Sequence, residues 1–362
     1  MADNEPDDRR RDKQPEEQQP PGEASVSEGA GILPPHHWTG YDARPYDDDD
    51  QDSALGDDDA SSTASLTSSI LKYRTIHGRT FHSERGNAQY WCSNDERQNE
   101  ALDINHHALT LAIDGKLYLS PLERDKIKHV LDVGTGTGIW AIDFGEEFPS
   151  AEVIGTDISP IQPEWVPPNV KFEIEDCTQT WTFPLSHFDY IHIRWLIGSI
   201  DDWTRLFQQC FDALTPGSWL ESYEMSPVWE SDDGRVTEKT ALGQWGKIFI
   251  EGGRRSGRTF TVVNDGLQRK AMEAAGFVDI EERNIKQPIG RWPRDQKLKE
   301  IGLFTQHTLE KDAEGYLLFM AATLGWTREQ IMVYLAVFRQ EVRSGLYQAY
   351  YKQKVVWGRK PE

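Results

Sequence analysis

Residues 129–144 read HVLDVGTGTGIWAIDF. A short apolar run gives way to glycines at alternate positions, Gly134, Gly136 and Gly138, and then to a stretch whose apolar residues recur at helical spacing. Glycines at a strand-to-helix junction let the backbone turn tightly and approach a ligand without interference from Cβ. The turn therefore predicts a binding site at the carboxyl end of the first strand of a parallel sheet.

Three kinds of ligand compete for such a turn. A phosphate-binding loop ends in Gly-Lys-Ser/Thr, whereas Gly138 is followed by Ile139 and Trp140. No lysine is in place to meet a β- or γ-phosphate. A dinucleotide fingerprint has the spacing G-x-G-x-x-G; this loop is G-x-G-x-G, with Asp132 two positions before the first glycine. A carboxylate there repels a pyrophosphate and suits the ammonium of a zwitterion. S-adenosylmethionine carries that ammonium and no phosphate.

The next acids fall where such a ligand needs them. Asp157 closes the run EVIGTD (152–157), 19 residues past Gly138, and is placed to accept hydrogen bonds from both ribose hydroxyls. Taken alone, it fits NAD equally well. Asp176 closes VKFEIED (170–176) and precedes Cys177, so the acid can accept from the adenine amino group while the Cys177 backbone N–H serves a ring nitrogen. The glycines and three acids together favour the methyl donor.

Working outward, short apolar runs alternate with helical stretches, as in βαβ units. Strands are expected at 128–134, 152–157, 170–176, 188–195, 218–225 and 277–290, with a last one at YYKQKVVWGRKP (350–361). Helices are expected at 138–148, 202–214 and 266–275, and in an insert at about 294–346 that includes TREQIMVYLAVFRQEVRSG, where Thr327 and Gln330 form a capping box. A further helix is expected from Asn94 as N-cap to just before Gly115. This is an α/β, Rossmann-like, doubly wound and mostly parallel seven-stranded sheet.

The formal net charge is −21, but residues 1–60 hold 18 Asp/Glu against five Lys/Arg, leaving 42 against 34 in the rest. Residues 1–68 are expected to form a disordered acidic tail. The 13 Trp, 12 Tyr and 14 Phe require a folded body. The acidic balance argues against nucleic acid or a membrane surface as partner. Cys92, Cys177 and Cys210 form no C-x-x-C pair, so no disulfide framework or metal site is expected. His106 and His107, adjacent on a helix, point to different faces and do not share a metal. Without an apolar run or leader, the protein is expected to be cytoplasmic, with the nucleus as the other compartment.

The segments LDVGTGTG, GTDIS, IEDC and LTPGSWLE resemble the nucleotide-binding motifs of class I S-adenosylmethionine-dependent methyltransferases. A narrower resemblance, to the LaeA-like fungal methyltransferases, is carried by GRTFH, NAQYWCSNDERQNEALDINHH, HIRWLIGSIDDW, PIGRWPRD and LGWTREQI, and by the closing GRKP. It covers about residues 70–362 and implies an N-terminal lid segment at 69–127 before a methyltransferase domain at 128–362. By that resemblance Asp132, Gly134, Gly136, Gly138, Asp157, Ile158, Asp176 and Cys177 line the cofactor, and the Arg194 backbone faces its methionine end. Ser93, Ala101 and Ser218 depart from the family pattern, which has proline, arginine and glycine there.

The expected activity is methyl transfer to an oxygen or nitrogen of a small secondary metabolite; the alternative is a nuclear regulator of secondary metabolism acting through a protein partner. His192, Arg194, Tyr223 and Glu224 lie near the carboxyl ends of their strands, but none is assigned as a catalytic base. His192 is expected to be a satisfied interior group. Trp91, Trp195, Trp219, Trp229 and Trp292 are candidates for the wall of a flat, apolar acceptor site.

Overall fold

The computed structural model describes residues 31–41, 72–83 and 90–362. Strands β3 (His129–Val133), β4 (Glu152–Asp157), β5 (Val170–Ile174), β6 (Phe188–Arg194), β7 (Leu214–Glu230), β8 (Val278–Pro288) and β9 (Tyr350–Arg359) form one sheet in the order β5-β4-β3-β6-β7-β9-β8. Pairs from β5 to β7 are parallel, and β9 runs antiparallel between β7 and β8. The strand order reverses at β3 and β6. In an open parallel sheet, ligands gather beside that switch point.

Both faces of the central strands β3, β4 and β6 are buried, as their near-continuous apolar runs require, whereas the edge strands β5 and β8 are largely exposed. Val130, Val153 and Tyr190 pack with Trp140 and Phe144 of helix α2 (Ile139–Glu147) on one side. Leu131, Ile154 and Ile191 pack on the other side with Phe207 of α3 (Trp203–Ala213) and Met272 of α5 (Leu267–Ala275). Helix α4 (Ala241–Ser256), capped by Thr240, follows β7; it is not among the helices expected from sequence. The expected insert before β9 is a helix pair, α6 (Gln296–Thr323) and α7 (Arg328–Ser344), with the Thr327–Gln330 capping box present.

Ahead of the sheet, the small hairpin β1 (Arg74–Ile76) and β2 (Arg79–Phe81) leads to α1 (Glu96–Ala112). The N-cap of α1 is Asp95, whose carboxylate accepts from the Gln98 backbone N–H at 3.2 Å. Asn94, expected in that role, is left outside the cap. Arg79 holds the hairpin to the helices: it donates to Asp95 at 2.5 and 2.7 Å, to the Ser93 hydroxyl at 2.9 Å and to both oxygens of Asp312 at 2.8 and 2.6 Å. Asp312 is fully buried and breaks the helical dihedrals of α6 at φ −152°, ψ 57°. Ser93, which departs from the family pattern, thus supplies a hydroxyl that proline lacks.

The expected tail at 1–68 lies mostly outside the described residues, but residues 31–41 depart from that reading. Pro35–Gly40 form a 3-10 turn whose Trp38 is 1% exposed and meets Tyr334 of α7 edge to face, with ring centroids 5.2 Å apart. The Leu33 N–H donates to Gln244 of α4 at 2.8 Å. Ile32, Leu33 and Trp38 supply enough apolar surface to seat this short stretch, a local signal that the acidic average of its surroundings hides.

Removing the Arg79 guanidinium takes from the buried Asp312 carboxylate the two close hydrogen bonds it donates and leaves only the longer 3.6 Å contact with Arg97 as a cationic partner. The Arg79→Met variant should lose about 3 kcal/mol or more of stability, measured by urea unfolding, and the amide protection of residues 72–83 should fall with it. A loss below about 1 kcal/mol would show that the cluster does not hold the hairpin.

Candidate active site

At the carboxyl edge of β3, Asp132 is 3% exposed and accepts two hydrogen bonds, from Thr135 Oγ1 at 2.6 Å and His192 Nδ1 at 2.7 Å. His192 is 1% exposed and lies flat on Trp140, centroids 3.7 Å apart. It is the interior group expected from sequence. Its work is to fix Asp132, and with it the glycine turn, to β6.

The three glycines do different things. All have positive φ: +70° at Gly134, +59° at Gly136 and +82° at Gly138. A Cβ on Gly134 would lie 2.4 Å from Leu196, and one on Gly138 2.3 Å from the Phe172 ring; one on Gly136 would meet nothing within 4 Å. Gly136 is therefore the position where the loop opens onto space. Gly138 starts α2 against Phe172 and is not on the cavity wall.

That space is a cavity of about 1180 Å³ walled by Asp132, Gly134, Gly136, Asp157, Ile158, Asp176, Cys177 and Arg194 among others. Eight of the nine residues expected at the cofactor thus share one wall, Gly138 being the exception. Asp157 accepts from the backbone N–H of Gly136 at 2.8 Å and of Ser159 at 3.0 Å, and burial pushes its carboxyl up to about 6. Asp176, two residues past β5, accepts from the Thr178 N–H at 3.0 Å and hydroxyl at 2.7 Å.

Residues that local patterns did not predict close the cavity. Asn94, Asn105 and His106 come from the segment before β3. The Asn94 side chain is buried with both amide atoms unpartnered, a costly state that a polar ligand relieves. The Arg194 side chain, not only its backbone, faces the site: its Nη2 donates to His106 Nδ1 at 2.9 Å, and His106 Nε2 lies 2.9 Å from Asp143. Arginine can only donate, so Nδ1 is the acceptor and Nε2 carries the proton toward Asp143. Burial lowers the His106 pKa; the ring is neutral with both nitrogens engaged. It positions Arg194 and has no lone pair left to act as a base.

Among the described residues the wall carries four carboxylates, Asp132, Asp157, Glu175 and Asp176, against one guanidinium, Arg194. A pyrophosphate would enter against that field, whereas a ligand with an ammonium, a sulfonium and a single carboxylate matches it. The amino-acid end of S-adenosylmethionine has that pattern, and its ribose and adenine suit the acids at the ends of β4 and β5. The site fits the methyl donor.

The turn after β6 is braced from several sides. Trp195 adopts φ +58°, unusual for a bulky residue; its N–H donates to the Tyr223 carbonyl at 3.0 Å. The next two N–H groups, of Leu196 and Ile197, donate at 3.0 Å to Glu224, whose carboxyl burial pushes up to about 8. Glu224 and Tyr223, candidates from sequence, shape the turn and do not line the cavity. Trp91, Trp195 and Trp229 wall a second cavity, while Trp219 and Trp292 lie elsewhere. Among the described residues, no group of three His, Cys, Asp or Glu side chains is arranged to hold a metal.

Comparison with known proteins agrees with this geometry. Residues 104–282 match a family model described as a methyltransferase domain. Methyltransferase pytC of Aspergillus terreus is 36% identical over 314 residues, 86% of this chain and 95% of the relative. The chain belongs to this family of methyltransferases. The probable methyltransferase tdiE of Emericella nidulans is 34% identical over 74% of the chain and 84% of its own length. The secondary metabolism regulator LAE1 of Cochliobolus heterostrophus is 36% identical over 62% and 74%. The methyltransferase and the LaeA-like resemblances read from sequence both stand.

Because the neutral Asp157 carboxyl loses acceptor capacity toward ribose hydroxyls, binding of S-adenosylhomocysteine should strengthen as pH rises through about 6. Calorimetric titration from pH 5 to 7.5 should show that inflection in the wild type and lose it in Asp157→Asn. A flat wild-type profile would remove Asp157 from the ribose site.

Proposed function

We propose that this S-adenosylmethionine-dependent methyltransferase modifies an oxygen or nitrogen of a small secondary metabolite in a fungal biosynthetic pathway. The observation that carries the donor half of this reading is Arg194, among the described residues the single cation on an otherwise acidic wall, held by a neutral histidine and without a carboxylate in hydrogen-bond contact. It would receive the methionine carboxylate. Asp157 would hold the ribose, and Asp176 with the Cys177 backbone the adenine. Gly136 and Asn94 would meet the polar atoms that remain.

When bound, S-adenosylmethionine supplies a methyl on a sulfonium: an acceptor lone pair bonds to carbon as the C–S bond breaks, its electrons staying on sulfur and the acceptor proton passing to water. The protein's part is to bind, orient and exclude solvent, since alignment alone can remove a large share of such a barrier. No cavity histidine has an open nitrogen to act as base, and the reading needs none.

A second reading, regulation of metabolite genes through a protein partner in the nucleus, is favoured by the LAE1 similarity. The pytC match, which spans 86% of the chain against 62% for LAE1 at the same 36% identity, supports the enzyme. Extracts with and without the gene separate them. Loss of one methyl group on one compound supports the enzyme, and silencing of many compounds supports the regulator.

Replacing Arg194 by Leu removes a charge-assisted hydrogen bond to the donor, of about 1.5–3 kcal/mol. The donor KM should rise about ten- to one-hundred-fold. An unchanged KM would place the methionine carboxylate elsewhere.

A further inference from the structure

Beside the donor cavity lies a second one of about 500 Å³, which shares Asn105 and Trp195 with the first. Among the described residues, eight on its wall are aromatic and none is Asp, Glu, Lys, Arg or His. The rings support each other edge to face: Trp91 and Phe249 at 5.2 Å, Phe249 and Phe260 at 5.3 Å, Trp229 and Tyr351 at 4.9 Å. Such walls accept flat apolar surface. A charged guest would lose its water there without meeting a counter-charge.

Two of the unpartnered polar groups on the wall can only donate, and a third, the Tyr316 hydroxyl, can donate or accept. The hydroxyls of Thr305 and Thr308 already donate to helix carbonyls at 2.9 and 3.0 Å. The indole N–H groups of Trp195 and Trp229 are buried and unpartnered, and an indole can only donate. Trp195 is also the residue held at φ +58° between the two cavities. Backbone strain of this kind persists where the surroundings impose it, and it clusters at functional sites.

The geometry points to this second cavity as the acceptor site, built for a neutral, planar aromatic or polyene compound that offers a carbonyl or ether oxygen to the Trp229 or Trp195 indole N–H. The assignment rests on the donor occupying the first cavity. The acceptor's nucleophilic atom then lies at the mouth marked by Asn105 and Trp195, where the two cavities meet.

The test uses the full chain loaded with S-adenosylhomocysteine and three naphthalenes of one shape: 2-acetylnaphthalene, 2-ethylnaphthalene and 2-naphthoate. Quenching of tryptophan fluorescence should show the neutral ketone binding tightest, the ethyl compound about five-fold weaker for want of the oxygen, and the naphthoate at least ten-fold weaker than the ketone. In Trp229→Phe and Trp195→Phe together, the ring surface stays, and the preference for ketone over ethyl should vanish. Trp229 lies off the donor wall, so the S-adenosylhomocysteine affinity of the Trp229→Phe single variant reports folding and the donor site, and it should stay within two-fold. Naphthoate binding equal to the ketone, a preference that survives the double variant, or no saturable binding of either neutral probe would overturn the acceptor assignment. Failure of the wild type to bind S-adenosylhomocysteine would instead overturn the donor reading.

Discussion

The site depends on one buried carboxylate. Asp132 takes a hydrogen bond from the glycine turn through Thr135 and another from β6 through His192, so the first two strands at the switch point and the loop between them are locked at a single side chain. Three successive elements inherit their place from that lock: the Gly136 opening, the start of α2 and the end of β6 that carries Arg194. A buried polar network of this kind is rigid when every member is satisfied. The His192 ring is also clamped flat on Trp140, which leaves it one orientation.

From this anchor the chain builds two neighbouring cavities of opposite character. The first is acidic with one cation, the second uncharged and aromatic. Their separation follows from topology. Carboxylates at the ends of β3 and β4, and just past β5, gather on one side of the switch point, while the second wall comes from the far end of β7 and from α4 and α6. The braced turn at Trp195–Ile197 stands between them, and Glu224 keeps two of its N–H groups satisfied.

Most of the sheet was legible in the sequence because parallel strands buried on both faces leave short apolar runs, and the first three runs end at residues whose chemistry is visible, Gly134, Asp157 and Asp176. The contribution of the segment before β3 to the cavity was not legible. Asn94 and His106 reach the cavity through contacts that no local period encodes. Arg194 reads from sequence as a strand end whose backbone faces the cofactor; the placement of its side chain on the cavity wall follows from His106, 88 positions away, and from Asp143. Gly138 has the spacing of a cofactor residue, yet the constraint on it is the Phe172 ring. Helix α4 was missed because its glycines and the turn residues before it weaken a helical pattern that tertiary burial restores.

The Arg79 cluster also bears on how relatives of this chain can diverge. Helix α6 supplies Thr305, Thr308 and Leu309 to the aromatic cavity, and one turn later presents Asp312 to an arginine from the opening hairpin. A helix pair lacking that acid would leave the Arg79 side chain, 12% exposed, without its fully buried partner. Two segments more than 200 residues apart in the chain are therefore coupled through one buried ion pair, and a change at either end is felt at the other.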